Sequence, residues 1–273
     1  MTLDLSKSTD PEIALAAAVL LELDAAAARA GIEFLVVGAT ARNMVARSIT
    51  GSTPARATRD VDIAVVVADW SEVRRLGEMF GGRQELAHRF EIDGVPVDVI
   101  PCGAIESPAR TVAWPNDFTM HTLGFREAFR SSQSVLLPGP FAVRIPSVAA
   151  QVLLKLVAWY DRHWDSTKDA IDLRTMLEWT DTGPLLERMY EENADIVELY
   201  DYDVTLAGAH GIGKAIRGLL DRSALAQVSR LLADRQLQVR LAGDMQGVFN
   251  RSLQQLDALA AGVTGNGNHL GSR

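Results

Sequence analysis

Three aspartates have the spacing expected of metal ligands in a phosphoryl-transfer site. Asp60 and Asp62 stand on either side of Val61 at the start of an apolar run, and Asp98 lies inside a later apolar segment. Side chains at positions i and i+2 of a strand share a face, so the carboxylates of Asp60 and Asp62 are expected to project together. Such carboxylates repel each other unless a cation lies between them, and Mg²⁺ is bound by one or two carboxylates with water and substrate phosphates. The pattern predicts a site for Mg²⁺ or Mn²⁺.

Asp98 is the third candidate metal ligand. It lies within Val97-Asp98-Val99-Ile100, where burial of a lone carboxylate is costly without a partner. Because short connections favour neighbouring positions in a sheet, its strand is expected beside the strand of Asp62. Three carboxylates suit two divalent ions, which would neutralise a triphosphate, activate an attacking hydroxyl and stabilise leaving pyrophosphate. This arrangement predicts nucleotide transfer that needs no protein nucleophile.

A glycine turn upstream supplies a candidate phosphate site. Gly38-Ala39-Thr40 joins the apolar segment 33–37 to a helical segment, so backbone N–H groups and the helix N-terminus can approach a phosphate. Arg42, two residues further on, is a secondary candidate for a phosphate contact. An Asp-x-Asp pair alone is more often a loop or a helix cap. The glycine turn, the pair and the third aspartate together form a much more specific pattern.

The elements around these residues predict a mixed α/β domain. The Asp93-Gly94 dipeptide is typical of a two-residue hairpin turn, and residues 101–122 are expected to be irregular. The predicted elements are a helix over 11–30, a strand over 33–37, a helix over 40–47, a strand over 61–67, a helix over 71–80, hairpin strands over 85–92 and 95–100, and edge strands over 135–137 and 141–145.

The second half is predicted to be nearly all helical. The change of pattern at Pro146 places a domain boundary there, giving domains over 1–146 and 147–273. Residues 210–214, His-Gly-Ile-Gly-Lys, lack the strand and spacing of a phosphate loop and are interpreted as a turn between helices. The predicted helices cover 147–162, 168–179, 185–192, 223–241 and 246–261.

The order of these motifs resembles the nucleotidyltransferase superfamily. That superfamily has a Gly-Gly or Gly-Ser turn, then hydrophobic-Asp-hydrophobic-Asp-hydrophobic, then a third acid on a strand; here Gly38-Ala39-Thr40, Asp60-Val61-Asp62 and Asp98 hold these places. Within it the chain is most similar to the AbiEii and MenT-type toxin branch, over roughly residues 33 to 175. The resemblance implies a mixed-sheet core with a C-terminal helical domain, a nucleoside triphosphate substrate, a tRNA acceptor and a cognate antitoxin.

The same branch carries a lysine on the helix after the core and an Arg/Lys-Asp-x-x-Asp-Leu motif beyond it. Lys155 and the stretch from Lys168 to Leu173 match these features. The resemblance implies that Lys155 contacts the triphosphate, that Asp169 helps to bind it and that Asp172 belongs to the catalytic set. By spacing alone, Lys168 and Asp172 also fit an i,i+4 surface pair. Ala39 departs from the superfamily pattern, since it lacks the hydroxyl of serine, which Thr40 could replace.

Composition narrows the function classes. The chain has 273 residues and a formal charge of −8, which argues against a uniformly basic nucleic-acid binder. The lone cysteine, Cys102, excludes a disulfide framework within the chain. Because no apolar run approaches the roughly 20 residues that cross a bilayer, a cytoplasmic protein is expected.

Two alternatives to transfer onto tRNA remain. The first is transfer to a small antibiotic-type acceptor, favoured by the acidic charge, and the second is a catalytically idle protein that binds nucleoside triphosphate.

Overall fold

The computed structural model describes residues 2–51, 59–81, 88–114, 118–139 and 141–265. The chain divides into two compact units, Met1–Ser147 and Val148–Arg273. None of the described helices has the length and apolar character that a membrane crossing requires.

The first unit is a mixed α/β structure, as predicted. The elements are β1 (Thr2–Asp4), α1 (Pro11–Ala30), β2 (Glu33–Val36), α2 (Gly38–Thr50), β3 (Val61–Val67), α3 (Trp70–Glu78), β4 (Arg89–Ile92), β5 (Val95–Gly103), β6 (Thr111–Ala113), β7 (Thr119–His121), α4 (Phe125–Arg130), β8 (Gln133–Leu137) and β9 (Phe141–Ile145). The central sheet has the strand order β2-β3-β5-β4, in which β3 and β5 are parallel and the two outer pairs are antiparallel. Smaller sheets join β1-β8-β9 and β6-β7.

Local signals set the ends of α1 and the hairpin that carries Asp98. Asp10 caps α1 by accepting hydrogen bonds from the N–H groups of its first turn, and Gly31 ends the helix in the left-handed conformation. Asp93 and Gly94 have φ angles of 50° and 76°, as a type I′ turn requires. The predicted helix over 11–30 and the predicted hairpin are therefore confirmed. Residues 85–87 of the predicted hairpin lie outside the described residues.

The prediction that residues 101–122 are irregular was wrong in part. β5 continues to Gly103, and β6 and β7 form an antiparallel pair within this segment. The short elements β1 and α4 were not predicted either. β1 pairs in parallel with β8, Leu3 opposite Val135, and a strand of three residues is too short to show a hydrophobic period.

The second unit is helical throughout its described part, as predicted. The elements are α5 (Val148–Arg162), α6 (Lys168–Glu178), a 3₁₀ turn (Trp179–Asp181), α7 (Gly183–Glu192), α8 (Ala194–Leu199), α9 (Val204–Leu219), α10 (Arg222–Ala233), α11 (Arg235–Asp244) and α12 (Phe249–Thr264). Two glycines allow the longest helices, α9 and α12, to cross closely: a Cβ atom on Gly213 of α9 would overlap the Leu259 carbonyl oxygen of α12, and one on Gly262 would overlap the His210 carbonyl oxygen.

Two predictions in this unit were wrong. The single helix over 223–241 is divided at Asp234, which ends α10 and caps α11 by accepting hydrogen bonds from the N–H groups of Gln236 and Leu237. Residues 210–214 are not a turn but the middle of α9. Glycine there serves the close contact with α12, and this packing cannot be recognised from local sequence.

Candidate active site

The glycine turn and Asp62 are packed against each other. α2 begins at Gly38, whose φ of +62° favours glycine, and a Cβ atom there would overlap Asp62 Oδ2. The N–H group of Val37 donates a hydrogen bond of 2.9 Å to the Asp62 carbonyl oxygen. Glycine is therefore required by both the backbone conformation and the carboxylate beside it.

Thr40 links the same turn to Asp60. Its hydroxyl lies 3.3 Å from the Asp60 carbonyl oxygen and donates to it, and the residue is buried. Ala39 lies between Gly38 and Thr40 in the first turn of α2. The sequence suggested that the Thr40 hydroxyl could replace the missing serine hydroxyl at a phosphate. In the structure this hydroxyl instead fixes the backbone at Asp60, just before β3.

The structure brings Asp98 beside Asp62. The two residues are direct partners in the parallel pair β3 and β5, and Arg89 of β4 is the partner of Asp98 on its other side. Arg89 Nε lies 3.4 Å from Asp98 Oδ1. Burial raises the pKa of Asp98, the charge of Arg89 lowers it and the charge of Asp60 raises it, so its pKa lies above the ordinary value.

The donor set fits a divalent cation. Carboxylate oxygens are the ligands that Mg²⁺ and Mn²⁺ prefer, and the absence of a side chain on Gly38 lets the Asp62 carboxylate lie directly against the turn that begins α2. As they stand, no three acidic, histidine or cysteine side chains of the described residues form a metal-binding group. Asp60 and Asp62 would therefore bind the ion together with phosphate and water, while Asp98 is paired with Arg89.

Arg42 lies in a buried network on α2 rather than at the surface. Its Nε and Nη2 donate to Asn43 Oδ1 over 3.1 and 2.8 Å, and both residues are buried. Sequence reasoning did not identify Asn43, and no local signal could have done so. The partnership of Arg89 with Asp98 was missed although counting back from the Asp93-Gly94 turn gives this register.

A second polar cluster lies in the helical unit and contains the three predicted residues of that half. Lys155 Nζ lies 2.9 Å from Asp169 Oδ1 and 2.8 Å from Asp172 Oδ2, and Arg162 Nε lies 2.6 Å from Asp169 Oδ2. Burial raises the pKa of Asp169, but Arg162 and Lys155 outweigh this effect and hold it below the ordinary value. Asp172 therefore pairs with Lys155 on α5. The alternative interpretation of Asp172, an i,i+4 surface pair with Lys168, does not account for this contact.

The comparison with protein families agrees with the motif pattern. Residues 20–259 match the family model described as nucleotidyl transferase AbiEii toxin, type IV toxin–antitoxin system. A comparison with curated proteins gave no match. Among solved structures, the antibiotic-resistance factor ANT(2'')-Ia matches with 18% identity and a TM-score of 0.36, covering 68% of this chain and 96% of its own. The family match confirms the predicted resemblance and the predicted enzyme class, a nucleotidyltransferase.

Proposed function

This chain belongs to the nucleotidyl transferase AbiEii toxin family, and we propose that it transfers a nucleoside monophosphate from a metal-bound nucleoside triphosphate to an acceptor hydroxyl. The observation that carries the proposal is the alignment of Asp62 with Asp98 across β3 and β5, next to the Gly38 turn. A metal-binding aspartate, a proton acceptor and backbone N–H groups for phosphate then lie in one unit.

Each of these residues has its own role in the proposed reaction. Asp60 and Asp62 hold the divalent ion, which when bound neutralises phosphate charge and lowers the pKa of the attacking hydroxyl. The N–H groups at the start of α2, from Gly38 to Thr40, bind phosphate oxygens. The acceptor oxygen bonds to the α-phosphorus as the bond to the bridging oxygen breaks, so that pyrophosphate leaves. Asp98 accepts the hydroxyl proton, a role that suits a carboxylate whose pKa is raised.

Lys155 is proposed as a phosphate ligand of the same reaction. Asp169 and Asp172 both contact its ammonium group, and Asp169 is also held by Arg162, so the lysine is held in one orientation. Asp169 and Asp172 then act through Lys155, positioning it for the triphosphate. A Lys155→Gln variant should bind nucleoside triphosphate more weakly, and Lys155→Arg should restore part of the affinity. Equal affinity in all three proteins would remove Lys155 from the proposal.

The acceptor and the partner are proposed from the family alone. A type IV toxin–antitoxin system supports a cognate antitoxin, and tRNA, which the resemblance to the toxin branch implies, is the acceptor that we propose, in the cytoplasm. A small-molecule acceptor of the antibiotic type is the competing possibility, because the formal charge of −8 offers little general attraction for RNA.

The test is a transfer assay with all four nucleoside triphosphates, each labelled at the α-phosphate. The protein is incubated with Mg²⁺ and total RNA, or with an aminoglycoside panel in place of RNA. We expect label in tRNA, none without Mg²⁺, and a loss of at least about 100-fold in an Asp60→Asn, Asp62→Asn variant, since these groups act on the transition state. Label on an aminoglycoside instead would identify the competing acceptor.

A matched control separates this loss from a general effect of charge. Asp24 is exposed on α1 of the same unit, so Asp24→Asn removes one carboxylate away from the site and should keep full transfer. Metal-dependent binding of triphosphate without transfer to any acceptor would favour the idle protein. Equal transfer by the Asp60, Asp62 variant and the wild type would contradict the proposed site.

A further inference from the structure

Charge is unevenly distributed along the helical unit. The segment 181–203, which contains α7 and α8, has eight aspartates or glutamates and one arginine. Residues 204–243, which contain α9, α10 and most of α11, have six lysines or arginines and two aspartates. The formal charge of −8 therefore averages over an acidic and a basic segment, and an anionic ligand is attracted to the second.

α10 presents arginines on a face that carries no carboxylate. Its exposed residues are Arg222, Ser223, Ala226, Arg230 and Ala233, and we call these five the basic face of α10. Arg222 and Arg230 are a little over two helical turns apart, so their side chains lie on the same side of the helix, about 12 Å apart along its axis. They can therefore contact two separate anionic groups of one ligand.

The two arginines of the basic face are not neutralised by acidic side chains. Among the described residues, neither Arg222 nor Arg230 forms an ion pair, and Arg230 Nε donates to the Ala226 carbonyl oxygen over 3.2 Å. An exposed guanidinium without a carboxylate partner keeps its charge and its remaining N–H donors for a ligand. Phosphate is an anion that the planar guanidinium binds through two parallel hydrogen bonds.

The groups that flank α10 leave its surface positive. Arg217, in the last turn of α9, is exposed and donates to a backbone carbonyl oxygen at the end of α12. Asp221 and Asp234 lie at the two ends of α10, and each accepts a hydrogen bond from a backbone N–H group at the start of α10 or α11. The partial positive charge of a helix N-terminus offsets part of each carboxylate charge. The three arginines of α9 and α10 therefore outweigh these two aspartates.

The other cations of residues 204–243 lie next to acidic groups. Arg235 pairs with Asp257 over 3.0 Å, and Arg240 lies 4.0 Å from Asp244. Lys214 donates to a side chain at the junction of α7 and α8, in the acidic segment. Among the described residues of this part of the chain, the positive charge that no nearby carboxylate offsets is thus confined to α10 and the end of α9.

The chemistry of the basic face favours RNA over a protein partner. The core of a protein interface is apolar and rich in aromatic residues, whereas α10 exposes no large hydrophobic side chain. Phosphate binding needs cations and hydrogen-bond donors, which Arg222, Arg230 and Ser223 provide. We propose that the basic face of α10, together with Arg217, binds the phosphate backbone of the acceptor RNA. This inference rests on the proposed function, because it assigns a binding surface to the acceptor of that reaction.

The first measurement is the binding of fluorescently labelled bulk tRNA, by anisotropy, without nucleoside triphosphate and at several KCl concentrations. Wild-type protein should bind with an affinity that falls steeply as salt is added. The double variant Arg222→Gln, Arg230→Gln should raise the Kd about tenfold at about 100 mM KCl. Its plot of log affinity against log KCl concentration should be less steep by about 1–2, because each lost phosphate contact releases about one counterion fewer.

A second measurement assigns the effect to the acceptor. Transfer of label to tRNA by the same double variant should show a higher KM for tRNA, with kcat changed by less than about twofold, because the lost contacts bind substrate and transition state equally. Binding of the α,β-methylene analogues of UTP, CTP, GTP and ATP with Mg²⁺ should match that of wild type.

Arg29 and Arg188 supply the matched control. Both are exposed, Arg29 in the last turn of α1 and Arg188 on α7 in the acidic segment. The double variant Arg29→Gln, Arg188→Gln removes the same two charges, but its Kd for tRNA should stay within about twofold of wild type, with the same salt dependence. Equal losses in the two double variants would reveal a general effect of net charge and would overturn the assignment of the basic face.

The outcomes distinguish failure of the basic face from failure of the proposed function. Absence of binding of all four triphosphate analogues to wild type would overturn the proposed function. Metal-dependent binding of these analogues without any binding of tRNA would overturn the basic face and leave nucleotide transfer standing, as would an unchanged salt dependence in the folded Arg222, Arg230 variant. Self-association of wild type that this variant abolishes, with unchanged tRNA affinity, would assign the face to an acidic surface of a second copy and overturn its role in RNA binding.

Discussion

Gly38 and Asp62 approach so closely that a Cβ atom on Gly38 would overlap the Asp62 carboxylate. A Gly38→Ala variant should therefore displace a proposed metal ligand as well as strain the turn. We expect transfer activity to fall about 100-fold, the effect of a small misplacement of reacting groups. The measurement is the rate of label transfer under saturating Mg²⁺.

A variant at Gly31 distinguishes backbone strain from displacement of the Asp62 carboxylate. Its φ of +68° resembles that of Gly38, but no atom lies within 4 Å of an added Cβ. Gly31→Ala should lose about 1 kcal/mol of stability, the cost of a left-handed residue with a side chain, and retain its activity. Similar activity in the two variants would show that the Asp62 contact is not needed for transfer.

Arg89 should weaken the binding of a divalent cation at Asp60 and Asp62, because its positive charge lies next to Asp98, the direct strand partner of Asp62. Because the Arg89–Asp98 pair is partly exposed, the effect is worth at most about 1 kcal/mol, and Arg89→Ala should bind Mn²⁺ about two- to fivefold more tightly. Free Mn²⁺ is measured by electron paramagnetic resonance. Arg75→Ala is the control, since Arg75 is exposed and pairs with Glu72 elsewhere in the same unit. Weaker binding by Arg89→Ala than by wild type would contradict this repulsion.

Asp169 should make the helical unit sensitive to acid. Its pKa is lowered by Arg162 and Lys155 against the effect of burial, so its contribution to stability is present above the ordinary pKa of about 4 and is lost as the pH falls through its folded-state pKa. Asp169→Asn should lose about 1–2 kcal/mol at pH 7, because it removes the charge-assisted hydrogen bonds from Arg162 and Lys155, while Lys155 keeps its contact with Asp172. The difference from wild type should shrink below about pH 4 in thermal unfolding. A difference independent of pH would contradict the pairing.

The crossing of α9 and α12 predicts opposite effects of one substitution at two places on one helix. Gly213→Ala should destabilise the protein by about 1–3 kcal/mol, because the methyl group would overlap the Leu259 carbonyl oxygen. Gly218, also on α9, is exposed and has no atom within 4 Å of an added Cβ, so Gly218→Ala should stabilise by up to about 1 kcal/mol. Urea unfolding measures both. Loss of stability in both variants would point to a requirement for glycine that is not contact with α12.

The central sheet and its aspartates were predictable because the signals are local. Alternation predicts that Asp60 and Asp62 share a face, and the Asp93-Gly94 turn sets the register of Asp98. The pairing of β1 with β8 and the burial of Asn43 depend on segments far apart in the sequence, which no short-range pattern encodes. The glycines near residue 210 misled the prediction in the opposite way. They form a local pattern that is typical of turns, but glycine is needed there for the close contact between α9 and α12.

The parallel pairing of β1 with β8 bears on how the chain folds. Leu3 meets Val135 only after nearly the whole first unit has been synthesised, and closing so long a loop is entropically costly and slow. Until then the edge of β8, once paired with β9, presents unpaired backbone groups to other chains. The amino-terminal strand thus protects against aggregation, and its deletion should reduce the yield of soluble protein even though the strand lies outside the sheet that carries the aspartates.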